Sequence, residues 1–220
     1  FLSSAAHAQL FRAYLAINGN DANPCTLPQP CRLLPAALNA VASGGEIWLL
    51  DSANYNTATV NITKSVTILA VPGAVGSVVA TAGSAISIAT AGVKVALRSL
   101  VLVPLPGGGG TSGVVMTAGN RLALEGCLLA GLPNGITVSG DMRLRVSATT
   151  VRGGSYGIIV SDGAEATVDR ASSSDMAQYG GYVTASAAAT TAAASIEGTT
   201  VERTYAGFFA HASADSAAAK

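Results

Sequence analysis

Charge is scarce in this chain. Only 11% of its residues are Asp, Glu, Lys or Arg, and 12 basic side chains are matched by 12 acidic ones. A nucleic-acid binder carries a basic surplus on one face, so the balance argues against that class of partner. Aromatic residues make up 5%, with a single Trp. No uninterrupted apolar run reaches the roughly 18 residues of a membrane span. Disorder is also excluded. A disordered chain is charged and apolar-poor, whereas half of these residues are hydrophobic and the net charge is zero. Small residues remain in abundance, Ala and Gly above all, with too few charges to coat an ordinary helical surface.

The small residues recur with a period. Short alternating segments start at Gly113, Gly135, Gly157, Gly181 and Gly207. Each follows a second ladder, Val95-Ala-Leu97, Leu122-Ala-Leu124, Leu144-Arg-Val146, Ala166-Thr-Val168 and Ala194-Ser-Ile196. A third short segment comes after that ladder, beginning at Leu100, Cys127, Thr149, Ala171 and Thr199. Each unit of about 22–28 residues thus holds three period-2 strands broken by Gly, Asn, Asp or Ser. A leucine-rich repeat lacks its Asn consensus here, and a propeller blade needs about 40 residues. The pattern predicts an all-β fold, a single-stranded parallel β-helix of about seven three-strand coils. Successive coils stack about 4.8 Å apart, for a body about 30–35 Å long. Small inward residues suit so narrow a core, and glycine suits its corners.

The chain divides by composition. Residues 1–8 read as the remnant of a signal peptide, because Ala6-His7-Ala8 fits a small-x-small cleavage site before Gln9. Residues 9–44 read as an N-terminal segment. Within it Cys25 and Cys31 bracket the stiff loop CTLPQPC, which in an exported protein reads as a local disulfide. Leu34, Ala37, Leu38 and Val41 make a helical stripe with Pro35 in its first turn. They predict a capping α-helix over the first coil, ended by Ala42-Ser43-Gly44-Gly45. The β-helix is expected over residues 45–212, its first strand starting at Glu46, and a ragged tail over 213–220. The expected location is secreted or periplasmic. Cys127 falls in a core column and is expected to be buried and reduced.

The run from Asn18 to Cys31, NGNDANPCTLPQPC, followed by Arg32, Ala37-Leu38 and Gly44-Gly45-Glu46-Ile47, carries a family resemblance. It resembles the N-terminal region of exported bacterial right-handed parallel β-helix proteins of the pectin-lyase-like superfamily, most of which have no assigned activity. The resemblance covers about residues 14–70 specifically and rests on the general coil pattern thereafter. It implies a right-handed coil, a secreted location and an N-terminal helical cap, but no activity.

Polysaccharide hydrolases of that superfamily use clustered aspartates with a His and a basic pair, and its lyases use an acidic calcium cluster with an Arg or Lys base. Neither pattern occurs. The acids are scattered singly, and outside the leader His211 stands alone. No cofactor or metal is expected, and the reading leans away from an enzyme. Lys94, Arg121, Arg143 and Glu165 share one position ahead of the second ladder and read as a solvated edge, with Arg98, Glu125, Ser147, Asp169 and Glu197 nearby as mixed counter-charges; the alternative is an anion-binding stripe for acidic polysaccharide. The stronger candidate is aromatic. Tyr156, Tyr179 and Tyr205 stand just before the glycine-led strands, with Tyr182 and Phe208 just after, and predict a stacked column of rings that either packs the corner of the coil or, exposed, offers flat faces and hydroxyls to sugar rings. Asp162 and Arg170 complete the candidate ligand-binding set. The expected partner is a polysaccharide or cell-surface glycan, and the expected role is non-catalytic surface interaction. The alternative is a degenerate or unusual polysaccharide lyase or glycoside hydrolase using Asp162, Asp169 and Arg170.

Overall fold

The computed structural model describes residues 9–187, 190–212 and 218–220. The expected leader 1–8 lies outside the described residues. So do residues 213–217 of the expected tail, whose Ala218–Ala219 pairs with Thr191 and Ala192.

The chain winds into a parallel β-solenoid of about seven turns with one short helix near its N-terminus. Among the described residues it builds a 9-stranded and a 10-stranded sheet, here called sheet 1 and sheet 2. In sheet 1, strands Leu10–Leu15, Val41–Leu49, Val66–Ala70, Lys94–Arg98, Arg121–Glu125, Arg143–Ser147, Glu165–Asp169 and Thr191–Glu197 follow one another in chain order. Their alternation places one residue set inward and the other outward. The inward column Ile47, Ile68, Leu97, Leu124, Val146 and Val168 is fully buried, coil upon coil. Each buried aliphatic side chain contributes roughly 1.5–3 kcal/mol.

The second and third strands of a coil are not separate in every turn. Gly76–Ala89, Leu100–Ala118, Thr150–Ser161 and Ser172–Ala185 each run on around the corner as one bent strand. Sheet 2 therefore wraps two of the three expected faces. Glycine at φ +68° in Gly153 makes one such bend without a Cβ clash.

A glycine column sets the spacing on the far limb of sheet 2. A Cβ on Gly113 would strike the carbonyl oxygen of Gly135. The same holds for Gly135 on Gly157, Gly157 on Gly180 and Gly180 on Gly207. The column member is thus Gly180, not the expected Gly181. The reason is a one-residue bulge: Gly154 pairs with Met176, but Tyr156 pairs with Tyr179. The bulge shifts every later residue of that coil by one.

The N-terminal end is closed as the apolar stripe predicts. The helix Leu34–Ala40 buries Leu34, Ala37 and Leu38, with Pro35 in its first turn. Its leading end is tied to the first coil by the Leu34 N–H donating to the Tyr55 carbonyl. Two details differ from expectation. The helix passes directly into the strand Val41–Leu49 instead of ending in a Gly-Gly turn. In addition, Leu10–Leu15 forms a strand of its own beneath it, pairing Ala13 with Ile47 and Leu15 with Leu49. The Cys25–Cys31 disulfide holds the loop between them, with both residues buried.

Cys127 is free and buried, as its column predicts. Burial pushes its thiol up to about 11. Its backbone N–H donates to the Thr149 hydroxyl, which in turn donates to the Ser147 carbonyl. Thr199 repeats the same bridge with Ala171 and Glu197 two turns of the column further on. These hydroxyls satisfy backbone groups that the corner leaves unpaired.

Candidate functional site

The outer face of sheet 2 carries the rings. Along Thr150–Ser161 and Ser172–Ala185, Tyr156 pairs with Tyr179, and Tyr179 pairs with Ala206 on the next coil. One outward column over, Ile159, Tyr182 and Phe209 are aligned. The ring centroids of Tyr156, Tyr179 and Tyr182 form a triangle with sides of 5.8, 5.8 and 5.4 Å. Phe209 stacks 5.1 Å from Tyr179 and 6.0 Å from Tyr182, and His211 stacks 6.3 Å from Phe209. Six rings, with Tyr205, thus spread over three coils, about 10 Å between the outer two strands.

The expected tyrosine column is only partly present. Tyr156 and Tyr179 are neighbours in it, but Ala206 takes the third place. Tyr205 lies one residue earlier, 80% exposed, and meets Tyr179 edge-on at 6.2 Å. Phe208 does not face outward. Its ring lies against Gly181 on the other side of the strand, and its neighbour Phe209 is the stacking partner of Tyr179 and Tyr182; at this end of the solenoid both rings remain part-exposed, at 36% and 41%. Tyr182 does face outward as a member of the cluster. Counting two positions on from the column glycines Gly180 and Gly207 identifies Tyr182 and Phe209.

Offset and tilted pairs at these distances are the favoured aromatic geometries. Tyr156, Tyr179 and Tyr182 are half-buried, because each ring covers part of the next. The result is a ribbon of ring faces and edges, carrying the hydroxyls of Tyr156, Tyr179, Tyr182 and Tyr205. Chemically it offers apolar area, hydroxyl donors and acceptors, and at one end the imidazole of His211.

Asp162 and Arg170 do not join this ribbon. Asp162 holds the corner after Thr150–Ser161 at φ +46° and accepts the backbone N–H groups of Ser186 and Ala187 at 2.7 and 3.1 Å. Those donors hold its carboxyl below the usual carboxylate range. Its work is to tie this corner to the turn of the next coil, 24 and 25 residues on. Arg170 sits at a different corner, after Glu165–Asp169, and pairs with Asp169 at 3.0 Å. Asp162, Asp169 and Arg170 are therefore not brought together as an acid/base set. Among the described residues, no three His, Cys, Asp or Glu side chains gather closely enough to hold a metal ion.

The expected charge column is in register on the outer face of sheet 1: Lys94, Arg121, Arg143 and Glu165 align across four strands. Arg143 meets Glu165 at 3.7 Å, and Arg98 meets Glu125 at 3.1 Å, all four largely exposed.

No family model and no curated protein matches this chain. Solved structures do. A GH136 lacto-N-biosidase from Eubacterium ramulus superposes with a TM-score of 0.53 at 12% sequence identity, over 89% of this chain and 56% of its own. This chain thus spans little more than half the length of that enzyme. A rhamnogalacturonan lyase and the pectate lyase Pel9A align at 12% identity with TM-scores of 0.38. They cover 88% and 97% of this chain and 74% and 79% of their own. The chain shares its parallel β-helix fold with the GH136 enzyme, and at 12% identity the likeness is one of fold. Among the described residues, no helix is long and apolar enough to cross a membrane.

Proposed function

We propose that the protein is a non-catalytic, exported β-helix that binds a glycan at a surface, using the ring ribbon of Tyr156, Tyr179, Tyr182, Tyr205 and Phe209. The observation that carries this reading is the continuous outward stack of rings with free edges and hydroxyls. Such faces suit the apolar sides of sugar rings, and the hydroxyls suit their polar rims. The shared fold with a carbohydrate-active enzyme supports the ligand class, and the Cys25–Cys31 disulfide supports an oxidising compartment.

The test is titration of the purified chain against a panel of neutral glycans. Tyr179→Ala and Phe209→Ala are expected to weaken binding by about tenfold each, a typical loss for a central aromatic anchor. Tyr179→Phe keeps the ring and removes only the hydroxyl, so it should retain most affinity. Unchanged affinity in both alanine variants, at an unchanged unfolding temperature, overturns the reading.

A further inference from the structure

The outer face of sheet 1 contains a trough that the aromatic ribbon does not touch. Its floor is a column of small residues, Thr67, Ala96 and Ala123, aligned strand to strand. On one side rise Lys94 and Arg121, and on the other Arg98 and Glu125. Arg145 continues the floor column on the next strand and closes that end with a long side chain. A short column between two long ones makes a furrow along the solenoid axis, with a volume of about 650 Å³. Lys94, Arg98, Arg121, Arg145 and Arg170 all line it, against Glu125 as its one acid.

This concentration stands out in a chain whose net charge is zero. Among the described residues, Lys94, Arg121 and Arg145 have no carboxylate within salt-bridge distance; the ion pairs of this face are made by Arg12, Arg98, Arg143 and Arg170. Like charges on adjacent strands repel, and a bound anion relieves that repulsion. Four of the five cations are Arg, whose planar fork grips carboxylate or sulfate groups in pairs. They are spread over four successive strands, roughly 14 Å from first to last, so the complementary ligand is long and multiply charged. The trough lining contains no aromatic side chain, which removes the stacking on which single-stranded nucleic acid binding depends.

We propose that this trough is a second binding site, for a linear polysaccharide bearing carboxylate or sulfate groups, laid along the solenoid axis and read by direct guanidinium contacts. It stands apart from the aromatic ribbon, which lies on sheet 2.

The test is calorimetric titration of the full chain with dextran sulfate, alginate oligomers, neutral dextran and an oligothymidylate of matched charge. The expected result is binding of dextran sulfate, alginate or both, at least tenfold tighter than any binding of neutral dextran, and at least tenfold weakening as salt rises from about 0.05 to 0.5 M. Binding of dextran sulfate alone assigns the site to sulfate, and binding of alginate alone to carboxylate. Arg121→Glu with Arg145→Glu should abolish the interaction, and Arg121→Gln with Arg145→Gln should weaken it about tenfold or more without altering surface size. Tyr179→Ala should leave it unchanged, which separates this site from the ribbon. Equal binding of oligothymidylate, or anionic-glycan affinity retained within twofold in both double variants, overturns the proposal.

Discussion

Phe208 lays its ring against the α-carbon of Gly181, in the space that a side chain at that position would fill. The two residues are paired across adjacent coils, and the inward column above them holds Ile158. Gly181 thus makes room for a ring near the open end of the solenoid, and that ring orients its neighbour Phe209 outward.

Gly181→Ala is therefore expected to displace Phe208 and loosen the last coil, at a cost of about 1–3 kcal/mol. Phe208→Ala in the same chain should recover part of the loss, because the clash then disappears. Chemical denaturation of the two single variants and the double variant, read as a thermodynamic cycle, checks the coupling.

Gly157→Ala should be worse. Its Cβ would run into the Gly180 carbonyl and the Ser173 hydroxyl, and a backbone oxygen in a ladder has nowhere to retreat. A loss of about 3 kcal/mol or more is expected. At Gly44, where φ is +86° but the surroundings are open, alanine should cost only about 1 kcal/mol. Comparison of denaturation midpoints distinguishes steric contact from backbone conformation.

Asn56 is buried and bridges two coils. Its amide donates to the Ala58 and Val79 carbonyls and its oxygen accepts the Val79 N–H. Asn56→Ala leaves those backbone groups without partners, at roughly 1–3 kcal/mol. Loss of hydrogen-exchange protection at the Val79 amide is the direct measurement.

Cys127 should resist thiol reagents in the folded chain. Burial raises its pKa from 9.0 to about 11, so the thiolate is withheld over the usual labelling range. Because the folded value is the higher one, the associated stability is complete below pH 9 and declines as pH rises towards 11. Labelling at pH 8 should be slow in buffer and rapid in denaturant.

Asp162 gives the opposite pH dependence. Its carboxyl is held low by the Ser186 and Ala187 N–H groups, so its contribution is present above the ordinary carboxylate range and fades as pH falls through the folded value. Protection of those two amides should fall on acidification, and Asp162→Ala should lack the effect at every pH.

Much of this fold was legible because stacking repeats it. The columns from Val95 to Ala194 and from Leu100 to Thr199 appear in sequence at the spacing at which the coils align. The helix stripe of Leu34, Ala37 and Leu38 was equally direct. The strand Leu10–Leu15 was not, because it pairs across the disulfide loop and helix and has no predecessor in the repeat. The rings were legible in kind but shifted in place. A single bulge between Met176 and Tyr179 exchanges the roles of Phe208 and Phe209, and no periodic count registers one extra residue. The trough was split for a similar reason. Arg145 occupies the column of Ala96 and Ala123, whereas the sequence pattern draws the eye to Arg143, and only the folded register sets Arg145 between the two charged columns.

The segment Leu105 to Gly109 is wholly exposed, and three of its residues have no counterpart on the neighbouring coil, where Ala80 and Ala82 pair with Pro104 and Gly109. Beyond this blister the ladder resumes, with Ser84 on Ser112 and Ile86 on Val114. A solenoid that absorbs surplus length at one point in this way offers a graft site. A peptide tag or dye inserted there would leave the ring ribbon and the charged trough in place, and would turn the molecule into a labelled probe for the glycans it is proposed to hold.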